Sequence, residues 1–273
     1  MTSIVQGRRA VGRWAGVRLS TYDRAGLVDV VTSALERREK LMVSYLNPFY
    51  ARATAADARL AAVVDSYDVV QPDGWGVVYG ARAAGIPVPE RAAIEDVERP
   101  LFEWMAAHGH SLYLFGSQPG IAVEAAATLV RSFPGLVIAG THHGWLDVEA
   151  GHPGTFDDED AARVAADVER SGADLVMVGL PTPLQQDWAA RYGPGLRAPV
   201  VMTAGAYFDK LAEKLDWYPR WMETARLGWA YRVWREPRRL LPRYTVGMAA
   251  FAVLVAREIV VARTGRRKHG HGR

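Results

Sequence analysis

The sequence predicts an α/β protein built on a mostly parallel sheet with helices on both faces, a Rossmann-like architecture, and three observations lead there. Short apolar runs without polar alternation, such as Leu112-Tyr113-Leu114-Phe115 and Leu175-Val176-Met177-Val178, have the continuity of strands buried on both faces. Amphipathic stretches of helical spacing separate these runs, so strand and helix alternate along the chain. Several runs end in Gly- or Pro-containing turns, and in open α/β sheets ligands bind outside the carboxyl ends of the strands.

Leu41-Met42-Val43-Ser44 is the first strand and is followed by a helix starting near Pro48. Asp65 to Val70 reads as a short buried strand leading into Gln71-Pro72-Asp73-Gly74-Trp75-Gly76, and Gly76 to Ala84 has helical spacing. Asp73 therefore stands where a strand ends and a helix begins. Its carboxylate either serves a ligand site or caps the helix.

A helix over Val97 to His108 precedes the strand Leu112 to Phe115, which runs into Gly116-Ser117-Gln118-Pro119-Gly120. A Gly-rich turn at a helix start is a cradle for phosphate or ribose, or else an ordinary tight turn. Leu136 to Ala139 is the next strand, ending near the adjacent His142 and His143. Neighbours on an extended segment point to opposite faces, and no carboxylate lies at ligand spacing, so the pair does not read as a metal site. Gly151 to Asp160 reads as a solvated acidic loop.

Asp174 to Gly179 is a buried strand opening into Leu180-Pro181-Thr182-Pro183-Leu184-Gln185-Gln186. Pro183 suits a first helical turn, which places the Gln185 and Gln186 amides near the free N–H groups of that turn, or leaves both glutamines merely exposed. Pro199 to Thr203 is the last clear strand.

Composition sets further bounds. A chain of 273 residues with 49% hydrophobic content can bury a sizeable core. The absence of cysteine excludes disulfides, thiolate metal sites and a Cys nucleophile. Met1 to Arg18 has basic residues but no apolar core, so it reads as a loose leader and not as a secretory signal.

Beyond Lys214 the alternation stops, and Trp and Tyr residues interleave with arginines. Glu236-Pro237 reads as a break between two helices. After Pro237 the basic residues are opposed only by Glu258. The apolar run Val246 to Ala256 is shorter than the ~20 residues a bilayer span requires. Aromatic and basic interleaving suits a membrane interface or nucleic acid, and the apolar segment Val246 to Val261 favours the membrane surface.

Together the residues resemble the WecG/TagA/CpsF glycosyltransferases, glycosyltransferase family 26, over nearly all of Leu41 to Phe251. The landmarks are Leu46-Asn47-Pro48, Pro72-Asp73-Gly74-x-Gly76, Arg91 followed by Asp96, and His143-Gly144-Trp145. They continue with Pro183-x-Gln185-Gln186-x-Trp188, Gly205-x-x-Phe208-Asp209, Trp229-x-Tyr231-Arg232 and Glu236-Pro237-x-Arg239. Tyr45, Ile94, Gln186, Trp217 and Gly228 depart from the family's usual Thr, Gly, Glu, Arg and Glu.

The resemblance implies inverting transfer of a sugar from a UDP-sugar to a polyprenyl-diphosphate-linked acceptor in cell-envelope or exopolysaccharide synthesis, with neither metal ion nor other cofactor. It implies that Asp73 is the general base. With the Gly116 turn, Asn47, Arg91, His143, Gly179, Pro183, Gln185 and Gln186 form the substrate-binding set. Arg220, Arg232, Arg238 and Arg239 would stabilise the leaving diphosphate.

The implied organisation is a leader and first helix over 1–39, a Rossmann-like catalytic domain over 40–214, and a helical membrane-associating appendage with a basic tail over 215–273. The implied partners are the donor, the lipid-linked acceptor and an anionic membrane surface, not nucleic acid. A homo-oligomer is left open, and the implied place is the cytoplasm, peripherally on the inner face of the cell membrane. The departures motivate an alternative, a non-catalytic nucleotide-sugar sensor or scaffold at the membrane.

Overall fold

The computed structural model describes residues 10–144, 158–213, 231, 233–234 and 237–269. A hairpin of β1 (Ala10–Trp14) and β2 (Val17–Ser20) opens the described chain, followed by α1 (Arg24–Arg37). Next come β3 (Leu41–Leu46), α2 (Pro48–Ala56), α3 (Ala58–Asp65), β4 (Val69–Pro72), α4 (Trp75–Ala83) and α5 (Ile94–His108). The middle of the chain is β5 (Ser111–Gly116), α6 (Ile121–Ser132), β6 (Val137–His142), α7 (Asp158–Ser171) and β7 (Leu175–Gly179). It continues with α8 (Leu184–Tyr192), β8 (Val200–Thr203), α9 (Tyr207–Glu213) and α10 (Pro237–His269).

Six strands, β3 to β8, form one sheet in the order β4-β3-β8-β7-β5-β6, and every pairing is parallel. The expected α/β architecture is present. Successive strand residues alternate between two cores: Met42, Val70, Tyr113, Phe115, Val176, Val178 and Val201 face one, and Leu41, Val43, Leu112, Leu114, Leu175, Met177 and Val200 the other. Residues of α2, α3, α4, α7 and α8 fill the first core, and residues of α1, α5, α6 and α9 the second. Both faces of each central strand are thus buried, which is why the sequence shows apolar runs where a half-exposed sheet would show alternation.

The crossover after β7 returns through α8 to β8, whereas the crossover after β5 leaves in the opposite direction through α6 to β6. The sheet's connections therefore diverge between β7 and β5, opening a crevice at their carboxyl ends.

The expectation of a loose leader fails from Ala10 onward. Ala15 and Gly16 both have positive φ, 52° and 84°, the geometry of a two-residue turn whose twist matches that of the flanking strands. Trp14, Val17 and Leu19 are buried in the first core. The strand expected from Asp65 starts only at Val69, because Asp65 closes α3. The acidic stretch expected as a loop becomes helix at Asp158, whose Asp158, Glu159 and Asp160 occupy the first turn of α7, where the helix dipole favours negative charge.

α10 is one helix of 33 residues. Its described part starts at Pro237, and Glu236, the other half of the expected break, lies outside the described residues. Part of the apolar stretch that the sequence assigned to a lipid surface is instead used for protein packing. Phe251 and Leu254 are buried, and the Phe251 ring meets Trp14 edge-on at 6.0 Å between centroids. Any side chain at Gly76 would press on Phe251, and one at Gly80 would press on Val255 and Trp14. Val253, Val260 and Val261 remain exposed. No described helix is long and apolar enough to cross a membrane.

Candidate active site

The carboxyl edge of the sheet collects most of the residues singled out from sequence. Asp73 follows β4 directly, and its backbone N–H donates to Leu46 O of the neighbouring β3 at 2.9 Å. That bond places it beside Asn47. The helix-cap reading of Asp73 does not hold, because α4 begins from Gly74, whose φ is 87°, and no side chain caps it.

The Asp73 carboxylate instead faces Arg91, with Oδ1 3.7 Å from Nη1, and 35% of the Asp73 side chain stays open to solvent. Arg91 is held in turn by Asp96, Nη2 to Oδ1 at 2.8 Å. Asp96 also accepts from the Ala93 backbone N–H at 2.9 Å, reaching back over the first turn of α5. Lys210 of α9 pairs with Glu95, and the Tyr207 hydroxyl donates to Glu98.

These neighbours tune one another. Desolvation pushes the Asp73 carboxyl above its ordinary value and Glu95 adds to the rise, while Arg91 and Lys210 oppose it. Desolvation would raise Glu95 too, but Lys210 and Arg91 hold its carboxyl down at about 2. Burial pushes Glu98 up to about 8 against the hydrogen bond from Tyr207. Tyr45, which stands where the family usually has Thr, is buried with its hydroxyl 3.5 Å from the Met202 sulfur. Burial and then the charges of Glu95, Asp73 and Asp96 push its phenol up.

Asn47 caps α2: its Oδ1 accepts from Phe49 and Tyr50 N–H at 3.1 and 3.0 Å. The cap uses the carbonyl oxygen of the Asn47 amide. Gln185 is buried and does not reach its own helix's free N–H groups as expected. Its Oε1 accepts from Gly205 N–H at 2.7 Å, and its Nε2 donates to Thr182 Oγ1 at 3.2 Å, stitching the β7–α8 loop to the β8–α9 loop. Gln186 is fully buried, and neither atom of its amide has a partner among the described residues. The reading of these glutamines as merely exposed is therefore excluded. Pro183 sits at the N-cap of α8, after a cis Thr182–Pro183 bond.

Gly116 and Gly179 meet at the β5/β7 crevice. Gly116 has φ of 149°, and any Cβ there would collide with the Gly179 backbone, so only glycine fits. Ser117 has φ of 58° and donates its N–H to Gly179 O at 3.1 Å, while Gly144 N–H reaches Ser117 O at 2.7 Å. The Ser117 hydroxyl is buried without a partner among the described residues.

His143 is exposed beside this crevice, and its ring lies 4.7 Å from that of His142, whose Nδ1 is 2.6 Å from His143 O. The expected opposite-facing arrangement breaks down because β6 ends at His142 and the chain turns there. Four strand spacings separate β4 from β5, about 19 Å, so Asp73 and the glycine crevice lie at two ends of one extended edge.

Arg220 and Arg232 lie outside the described residues, as do Trp217 and Gly228. Arg238 and Arg239 fall in the first turn of α10. Sequence reasoning gave no role to Arg24, Glu95, Glu98, Tyr207 or Lys210. Their charges come from helices far apart in the chain, and no local pattern links them.

The profile of the glycosyl transferase WecG/TagA/CpsF family matches residues 13–265. The chain belongs to that family. Among similar proteins, the N-acetylglucosaminyldiphosphoundecaprenol N-acetyl-β-D-mannosaminyltransferase of Bacillus spizizenii is 26% identical over 222 residues, 80% of this chain and 82% of the relative. The protein of that name from Bacillus subtilis is 25% identical over 217 residues, 78% and 80% of the two chains. A UDP-Gal:α-D-GlcNAc-diphosphoundecaprenol β-1,4-galactosyltransferase of Shigella boydii is 21% identical over 137 residues, 50% and 54% of the two. Membership in the WecG/TagA/CpsF family makes the protein a glycosyltransferase and agrees with the resemblance read from the ordered short motifs. The match begins at residue 13, so the family region includes most of the hairpin that the sequence reading took for leader.

Proposed function

We propose that this glycosyltransferase moves a sugar from a UDP-sugar to a polyprenyl-diphosphate-linked acceptor, with inversion and without a metal ion, at the inner face of the cell membrane. The observation that carries the reading is Asp73: a partly open carboxylate at a strand end, not used as a helix cap, whose proton affinity is raised by its surroundings. A carboxylate of raised proton affinity is a stronger base while ionised, and a positioned base contributes about 10²- to 10⁴-fold in rate.

In this reading Asp73 takes the proton of the acceptor hydroxyl as that oxygen attacks the anomeric carbon. The bond to the diphosphate breaks on the opposite face, and UDP leaves with the electron pair. Asn47, Arg91 and Gln185 line the acceptor and sugar end of the edge. Gly116, Gly179 and His143 take the nucleotide end, where the absence of side chains at the two glycines lets a phosphate approach the backbone closely. Pro183 and Gln186 shape the wall between them. Arg220, Arg232, Arg238 and Arg239 supply positive charge to the leaving diphosphate, in place of a metal. The acceptor class comes from the relatives' names, which specify N-acetylglucosaminyldiphosphoundecaprenol or a GlcNAc-diphosphoundecaprenol.

The proposal also keeps a catalytic domain to residue 214 and a membrane-associating appendage beyond it, with the β1–β2 hairpin packed on that domain in place of a leader. Incubating the protein with a panel of UDP-sugars and N-acetylglucosaminyldiphosphoundecaprenol tests the function. One donor is expected to give a lipid-linked disaccharide of inverted anomeric configuration and an equal amount of UDP, with the rate unchanged by EDTA. Saturable donor binding without UDP release across lipid-linked acceptors would favour the sensor reading instead.

A further inference from the structure

Among the described residues Asp73 has one direct cationic contact, Arg91, and Arg91 is itself tied to a residue outside every motif discussed so far. Arg24 is the first residue of α1. Its Nη2 lies 3.2 Å from Asp96 Oδ1, the same oxygen that Arg91 Nη2 reaches at 2.8 Å. Its Nε donates to the Arg91 backbone oxygen at 3.4 Å, and its backbone N–H donates to Glu90 Oε1 at 2.9 Å. The start of α1 therefore grips the segment 90–96 at three points.

We propose that Arg24 is a positioning residue for Asp73: by sharing Asp96 and tethering the Arg91 carbonyl, it holds the Arg91 guanidinium against the Asp73 carboxylate. The Asp96 side chain is 1% exposed, so its charge must be matched inside the protein. Two arginines share that task. Without Arg24 the whole charge of Asp96 falls on Arg91, which is drawn toward Asp96 and away from Asp73. The Arg91–Asp73 contact at 3.7 Å is an ion pair wider than a good hydrogen bond, so a small displacement weakens it further.

Among the described residues, the other groups that act on Asp73 do not replace Arg91. Glu95 and Asp96 from the first turn of α5 are negative, Lys210 from α9 is already paired with Glu95, and the Tyr45 phenol from β3 is buried and neutral. Loss of the clamp leaves Asp73 with a higher proton affinity. Its functional consequence rests on the reading of Asp73 as the base, whereas its effect on Asp73 itself does not.

Two variants of the full chain, Arg24→Gln and Arg24→Lys, separate these points. The carboxyl of Asp73 is titrated by ¹³C NMR on aspartate-labelled protein, its signal assigned by its loss in Asp73→Asn. The pH dependence of transfer to N-acetylglucosaminyldiphosphoundecaprenol is measured in parallel. Arg24→Gln is expected to move the Asp73 titration up by about 0.5–1 pH unit, and the acidic limb of the rate with it. Arg24→Lys keeps the charge but not the planar fork, and is expected to move both in the same direction by less.

A titration unmoved in both variants overturns the clamp, whatever the rate does. One that moves in Arg24→Gln but not in Arg24→Lys also overturns it, because Arg24 would then act only as a distant charge. A titration that moves while the rate limb stays supports the clamp and removes Asp73 as the base. The Arg24 side chain is 43% exposed, so truncation leaves no core cavity. Should Arg24→Gln nevertheless fail to fold, the Arg24→Lys titration decides by the same criterion.

Discussion

Asp73 is set between groups that pull its proton affinity in opposite directions: crowding and Glu95 raise it, Arg91 and Lys210 lower it, and the rise prevails. A base works only when ionised, so transfer should fall as the pH drops through a midpoint above the ordinary carboxylate value of 3.8. A pH–rate profile with no acidic limb above that value would contradict this. Glu98 gives a second pH prediction, on stability. Its folded carboxyl sits at about 8 against an ordinary 4.5, so its stabilising contribution is complete below pH 4.5 and is lost as the pH rises toward 8. Thermal melts should show the wild type losing ground to Glu98→Gln across that window, because the amide keeps a partner for Tyr207 without ionising. A constant gap in Tm would refute the shift. Asp73 itself was legible in the sequence because a strand end followed by Gly-x-Gly marks a ligand edge. Its tuning was not, since Glu95 and Lys210 act on it from two helices and only the fold brings them together.

The strands were legible because burial on both faces writes an unbroken apolar run, as in β5 and β7. The β1–β2 hairpin was not, because Arg13, Gly16 and Arg18 interrupt the apolar residues Trp14, Ala15, Val17 and Leu19 that it buries. The same limit hid the packing of α10: an apolar helix face looks alike whether lipid or protein covers it. Phe251→Ala should therefore cost about 3–5 kcal/mol in urea unfolding, as a buried aromatic does, because Phe251 is packed between Trp14 and Gly76. A cost below about 1 kcal/mol would mean that α10 does not pack there. In the β5/β7 crevice, Gly116→Ala should destabilise by at least about 2 kcal/mol and weaken donor binding, since both its φ and its contact with Gly179 exclude a side chain. An alanine variant as stable as wild type would show that the strands can part at this point.

The proposed function asks of the whole molecule that it hold an extended ligand beside a membrane surface. The glycine crevice, three to four strand spacings from β4, stands about 14–19 Å from Asp73 along one edge, room for a nucleotide at one end and a sugar at the other. Along α10, Val253, Val260 and Val261 stay exposed together with Arg257 and Arg263, an apolar strip with basic flanks. Replacing the three valines with serine should lower retention on phosphatidylglycerol vesicles severalfold while leaving Tm unchanged, and equal retention would detach α10 from the membrane account. In the proposed mechanism the chemistry turns on Asp73. Transfer of sugar to N-acetylglucosaminyldiphosphoundecaprenol by Asp73→Asn, compared with wild type at saturating donor, should fall by about 10²- to 10⁴-fold with melting and donor binding unchanged. Turnover within a few-fold of wild type would contradict the assignment of Asp73 as the base.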